Sequence, residues 1–174
     1  EIPTSLSMQA LHYSKEIPGG VIVVGPDGKR FTDEKFKTRH GKVPAHGTWK
    51  ALTTPCPMHM IFDNTHMTAG PIYDGHPSHG WTQVVEQYEW SEDNSVELEK
   101  GWIKKADTLV ELAVQIGMDG ETLAETVSHW NAFAASGEDM EFGRTLMLTA
   151  LDDGPYYAVE MSPSMLNTQG GPRR

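Results

Sequence analysis

The chain has 174 residues, 38% of them hydrophobic, with five tryptophans, which suffices for one domain with a packed core and excludes disorder throughout. Its formal net charge of −10 argues against a nucleic-acid footprint, and no stretch approaches the ~20 apolar residues of a membrane span. A lone Cys56 excludes an internal disulfide but fits a cytoplasmic and an exported protein equally, so the compartment stays unassigned.

Residues 1–19 are polar, carry Pro3 and Pro18, and read as an irregular lead-in. The apolar run Val21–Val24 meets the turn Pro26-Asp27-Gly28 and then Lys29-Arg30-Phe31, which predicts a β-hairpin over 21–32. The Gly, Pro and Thr content from Glu34 to Pro57 predicts a long loop, and long ordered loops tend to carry function. Met58–Asp63 reads as a buried strand, while residues 68–80 are rich in Gly, Pro and His without a clear period. Trp102–Ala106 predicts a short strand. Asp107 can cap a helix with Leu109, Leu112, Ala113 and Ile116 on its apolar face and Gly117 as its stop. Asp119 can cap a second, with the stripe Leu123, Val127, Trp130 and Ala134, ended by Gly137. Tyr156–Met161 alternates as a last strand. Strands and helices show no βαβ rhythm, so the expected class is α+β, a small antiparallel or mixed sheet packed with several helices.

Several side chains invite chemical readings. His40 and His46 share the predicted loop with Arg39, and a titrating histidine beside an arginine can relay a proton. On residues alone, Arg39 reads as a surface cation pairing with Asp33 or Glu34. His59, His66, His76 and His79 suggest a metal, and His76-Pro77-Ser78-His79 has an H-x-x-H spacing. Pro77 and the neighbouring glycines place that spacing on a loop, and no Cys or carboxylate set completes it, so no metal site is expected. Met58, Met60, Met67 and Met161 read as adaptable core filling. Tyr156 and Tyr157 point to opposite faces of their strand, so core packing with a hydrogen-bonded hydroxyl is expected. Neither a G-x-S-x-G elbow nor an H-E-x-x-H helix occurs, which leaves a hydrolase or metalloenzyme without support.

The order of four segments carries a resemblance. They are Gly20–Lys42 (VVGPDGKRFTDE followed by TRHGK), Gly101–Leu109, Phe142-Gly143-Arg144, and the tail Gly154–Gly171 with its PYYAV and T-x-GG elements. Together they resemble the fumarate reductase and succinate dehydrogenase flavoproteins, in the part that caps the substrate. The resemblance implies an FAD-dependent oxidoreductase acting on a C–C bond conjugated to a carboxylate or carbonyl of a small molecule. It implies that Arg39 faces the substrate, delivering the proton and gripping a carboxylate in bidentate fashion. His40, His46 and Asn167 would bind substrate, and Thr168, Gln169, Gly170 and Gly171 would approach the flavin through backbone.

Two departures stand out. The family's histidine pair just before T-x-GG is replaced by Leu166 and Asn167, which brings no charge and favours a less polar or larger substrate than fumarate. No G-x-G-x-x-G occurs anywhere, so the expected unit is one capping domain over 1–174 excised from a longer flavoprotein. Its partner would be the FAD-binding domain of the same chain, and the isolated segment is expected to bind no cofactor and to be inactive. The competing reading is a free-standing small-ligand or protein-binding module that keeps the cap fold without redox activity.

Overall fold

A computed structural model of the protein describes residues 18–35, 42–45, 47–51, 53–72 and 90–161. Its centre is a four-stranded sheet of β1 (Val21–Val24), β4 (Met58–Phe62), β6 (Tyr156–Met161) and β5 (Ile103–Ala106), in the order β1-β4-β6-β5. Every pairing in it is antiparallel, with Val21 opposite Phe62, Met60 opposite Val159, and Ile103 opposite Val159. Antiparallel sheets commonly leave one face in water. Here both faces are covered, so β1 and β4 are buried at every position. One face carries Val21, Val23, Met58, Met60, Phe62, Tyr157, Val159 and Met161, with Met67 and Ile72 packed over them. The other carries Ile22, Val24, Ile61 and Ala158 and is roofed by helices.

Two helices form that roof. Helix α3 (Leu109–Gln115) buries Leu112 and Ala113, and α4 (Gly120–Ser136) buries Leu123, Val127 and Trp130. The cap of α3 is Thr108 rather than Asp107: its hydroxyl accepts from Glu111 N while Glu111 returns a bond to Thr108 N, a reciprocal capping box that Asp107, one residue earlier, cannot form. Asp119 caps α4 as expected, and Gly137 at φ 76° stops it. The two shorter helices, α1 (Asn64–Thr68) and α2 (Ser95–Glu99), have no sequence period to announce them, because a single turn buries too few residues to show one.

Two loop expectations fail. The hairpin over 21–32 reduces to one bridge, Val24 to Arg30, across a turn closed by Gly25 N donating to Lys29 O (2.9 Å). Strand β1 pairs with β4 instead, because a strand buried on both faces is stabilised by a sheet partner rather than by a two-stranded ribbon. Within the predicted loop of 34–57 lie two strands, β2 (Lys42–Ala45) and β3 (Thr48–Ala51), paired antiparallel as a separate two-stranded sheet with β3 exposed along its length. The open antiparallel sheet with its helices agrees with the α+β class.

Candidate functional site

Arg39, His40, His46, Asn167, Thr168, Gln169, Gly170 and Gly171 lie outside the described residues. What the structure describes is the frame from which those segments spring: Lys35 before Arg39, Lys42 after it, and Met161 ahead of Asn167.

That frame is built on a buried charge cluster. Arg30 donates from Nε and Nη2 to the two oxygens of Glu34 (2.8 and 2.9 Å), and from Nη1 and Nη2 to the two oxygens of Asp139 (3.2 and 2.9 Å). Arg144 Nη1 donates to Glu34 Oε2 (3.2 Å), and its other donors reach the carbonyls of Leu146 and Met147. All four residues are almost wholly buried. The two guanidinium groups lie 4.7 and 4.5 Å from the Trp130 ring centre, so the indole of α4 supplies a floor for both cations. Burial by itself would push the Asp139 carboxyl up. The bonds and charge of Arg30, with the N–H groups of Arg144 and Glu141, outweigh it and bring Asp139 down to about 2. Burial works against the Arg30 cation too, and the Glu34 and Asp139 carboxylates more than offset it. Two cations thus meet two carboxylates with nearly every donor used, the condition under which buried charges are tolerated.

The cluster also completes the sheet. Strand β1 is an edge strand, and its outer groups would lack partners inside the protein. Val23 N donates to Glu34 Oε1 (3.2 Å) and Val21 O accepts from Arg144 Nη1 (2.8 Å). Side-chain charges stand where a neighbouring strand would be, and they tie the root of the Arg39 segment to the sheet. The surface alternative for Arg39 expected Asp33 or Glu34 as its partner; Glu34 is buried and held by Arg30 and Arg144.

A second node lies where β4 gives way to α1. Asp63 caps α1, accepting from His66 N at Oδ1 (2.9 Å) and from Gly20 N at Oδ2 (2.9 Å). Burial raises its pKa, against the effect of those two N–H donors. Gly19, at φ +96°, cannot be replaced: a Cβ there would stand 2.3 Å from His66 N. Tyr157 stacks on Phe62 at 5.5 Å and donates its hydroxyl to Asn64 Oδ1 (3.2 Å), the packing role expected for it. Tyr156 faces the other side of the sheet. His66 is buried, in edge contact with Phe62, and its Nδ1 has no hydrogen-bond partner among the described residues; the same holds for His59 Nδ1 on β4. His76 and His79 lie outside the described residues, and among the described residues no group of three or more His, Cys, Asp or Glu could hold a metal ion. No helix among them is long and apolar enough to cross a membrane.

The sequence does not announce Arg30, Glu34, Asp139 and Arg144 as a unit. An i,i+4 spacing joins Arg30 to Glu34, but Arg30 and Asp139 stand 109 positions apart and nothing local pairs them.

Comparison with known proteins places these features in a family. Residues 2–173 match the model of a family described as an FAD binding domain. The chain belongs to the FAD-dependent fumarate reductase and succinate dehydrogenase flavoproteins. It is 32% identical over 152 residues to a fumarate reductase (cytochrome) of Shewanella frigidimarina, a match covering 87% of this chain and 22% of that protein. It is 30% identical over 174 residues to a 3-oxosteroid 1-dehydrogenase of Mycolicibacterium smegmatis, covering 88% of this chain and 28% of the relative. The open conformation of a flavocytochrome c3 fumarate reductase superposes with a TM-score of 0.52 at 28% identity, over 81% of this chain and 20% of that one. The chain therefore spans between a fifth and a third of the length of these relatives.

The described residues do not fit the flavin's pyrophosphate. Gly25 and Gly28 follow a strand, but the chain then forms a bridge rather than a helix. The long helix α4 opens under the Asp119 carboxylate, which already occupies Thr122 N and its hydroxyl (2.8 and 2.7 Å), so an anion there would meet a like charge.

Proposed function

We propose that residues 1–174 form the substrate-capping domain of an FAD-dependent oxidoreductase that reduces or oxidises a C–C bond conjugated to a carboxylate or carbonyl. The observation that carries this reading is an antiparallel sheet roofed by helices inside a segment matched end to end by a flavoprotein family. A dinucleotide module would instead show parallel strands and a glycine-rich strand-to-helix turn. The flavin, held by the FAD-binding part of the parent, supplies hydride chemistry.

The residues of this chain bind, orient and exclude water. Arg39 grips the substrate carboxylate or carbonyl and stands as the proton source, a cation at every working pH. His40, His46 and Asn167 hold the substrate, and Thr168, Gln169, Gly170 and Gly171 approach the flavin through backbone. The charge cluster of Arg30, Glu34, Asp139 and Arg144 fixes the root of the Arg39 segment, so that closure brings the guanidinium to a defined place. Asn167 in place of a cationic or titrating ligand fits a substrate less polar than fumarate, and the two relatives' names bracket the range from a dicarboxylate to an oxosteroid.

The test uses the full-length FAD-loaded enzyme. Fumarate with reduced methyl viologen probes reduction, and androstenedione with phenazine methosulfate probes dehydrogenation. Turnover of either, lost in Arg39→Ala with flavin still bound, supports the reading. Arg39→Ala retaining wild-type turnover sinks the role of Arg39. A wild-type protein that binds no FAD moves the chain to the free-standing binding module.

A further inference from the structure

We propose that the β2–β3 ribbon is a docking element, whose Trp49 face seats on an acidic surface of the FAD-binding part of the parent chain. This rests on the capping-domain reading and adds an interface to it. The ribbon stands apart from the main sheet. Lys42–Ala45 pairs with Thr48–Ala51 around Gly47, and the two strands form a sheet of their own. Among the described elements, none packs on the ribbon to an extent comparable with its own pairing. A two-stranded ribbon is marginal in water and normally needs a third strand or a covering helix.

The exposed side chains favour such a cover. Every position of β3 is exposed, Trp49 at 49%. Tryptophan is the residue type most enriched among interface anchors, where a polar rim surrounds a buried aromatic. Cross-strand partners share a face and successive residues alternate. Lys42 is paired with Ala51, so it stands on the face of Trp49, and Lys50 stands on the other. One face of the ribbon thus offers an indole with a cation beside it.

Charge says what that face meets. The chain carries a net charge of −10, yet none of its 24 Asp and Glu falls between Lys35 and Phe62. Lys35, Lys37, Arg39, Lys42 and Lys50 all do. The ribbon is therefore a positive element on a negative chain, complementary to a surface of carboxylates. A second copy meeting it ribbon to ribbon would bring like charges together. The rest of the parent supplies a surface without that penalty: the chain lies within an FAD-binding family and spans between a fifth and a third of its relatives' length. Two surfaces in one polypeptide meet at a high effective concentration, so a single tryptophan anchor suffices to hold them.

The experiment uses the full-length FAD-loaded enzyme and a carbodiimide, which joins a lysine to a carboxylate in direct contact. The expected crosslink runs from Lys42 to an Asp or Glu beyond residues 1–174. Trp49→Ala should cut its yield by about tenfold or more, and Trp49→Phe should restore most of it, with FAD content unchanged in both. Amide exchange at 48–51 should speed up roughly 10–100-fold in Trp49→Ala. Four results overturn the proposal: a Lys42 crosslink confined to carboxylates within 1–174, one that joins two copies, none from Lys42, or a yield that Trp49→Ala leaves unchanged. A full-length protein that binds no FAD fails the capping reading and this inference with it, whereas any of those four results in an FAD-loaded protein fails the docking alone.

Discussion

Two polar hubs hold loops onto this sheet, and they use opposite chemistry. At the β1 edge, Arg30, Glu34, Asp139 and Arg144 pair four charges under cover. On the face holding Phe62 and Met67, the neutral side chain of Asn94 does comparable work. Its Oδ1 accepts from Ile72 N and Trp90 Nε1 (2.8 and 2.7 Å), and its Nδ2 donates to the carbonyls of Met67 and Gly70 (both 2.9 Å). Asn94 stands at φ 62°, a left-handed conformation that Asn tolerates better than most residues. Charged hubs reach far along the chain and are unforgiving, because each deletion strands a buried ion. A neutral hub fails in smaller steps, one hydrogen bond at a time. Placing the charged hub at the root of the proposed catalytic segment exchanges tolerance for fixed geometry.

Breaking the two hubs should expose that difference. Glu34→Gln leaves Arg30 and Arg144 without the carboxylate they share, and the expected loss is about 3–5 kcal/mol, read by urea unfolding. A loss under 1 kcal/mol would show that water reaches the cluster. Asn94→Ala removes four hydrogen bonds and leaves in the left-handed region a residue without the amide that makes it tolerable, with an expected loss on the order of 3 kcal/mol. Asn94→Gly should recover the backbone part of it, roughly 1 kcal/mol. If Gly is no better than Ala, the strain assigned to this position is absent.

How much of this was legible depended on distance along the chain. The core strands, the apolar stripe of α4 and its stop at Gly137 were readable because each is a local pattern of a few residues. The short helices α1 and α2 were not, since one turn is fixed by its caps and its tertiary contacts rather than by a period. The pairing of β1 was misread because a turn signal says where the chain bends and not which strand it then meets. Within 34–57, Gly and Pro marked a loop, yet Lys42–Ala45 and Thr48–Ala51 pair around Gly47 at φ 76°, a turn hidden among other breakers. Arg144 belongs to a family-like segment, but its partner Glu34 stands 110 positions away.

The gentlest probe of the charged hub and its neighbour is acid, and the two should respond in different pH windows. Asp139 is held down at about 2 against an ordinary value of 3.8, so its contribution is complete above 3.8 and is lost as pH falls toward 2. His66 is also held down, at about 4 against 6.5. For a histidine kept neutral by folding, the unfolded chain binds the extra proton, so stability is full above 6.5 and declines as pH falls from there to about 4. Acid unfolding should therefore show an early limb between pH 6.5 and 4, on the order of 3 kcal/mol deep, before the steeper loss below 4. Asp63 opposes it slightly, because a raised carboxyl takes up its proton earlier in the folded state. His66→Gln should flatten the early limb and leave the later one. If the early limb persists unchanged in that variant, the limb belongs to another group such as His59, whose burial lowers it in the same direction, and His66 is more open to solvent than its position implies.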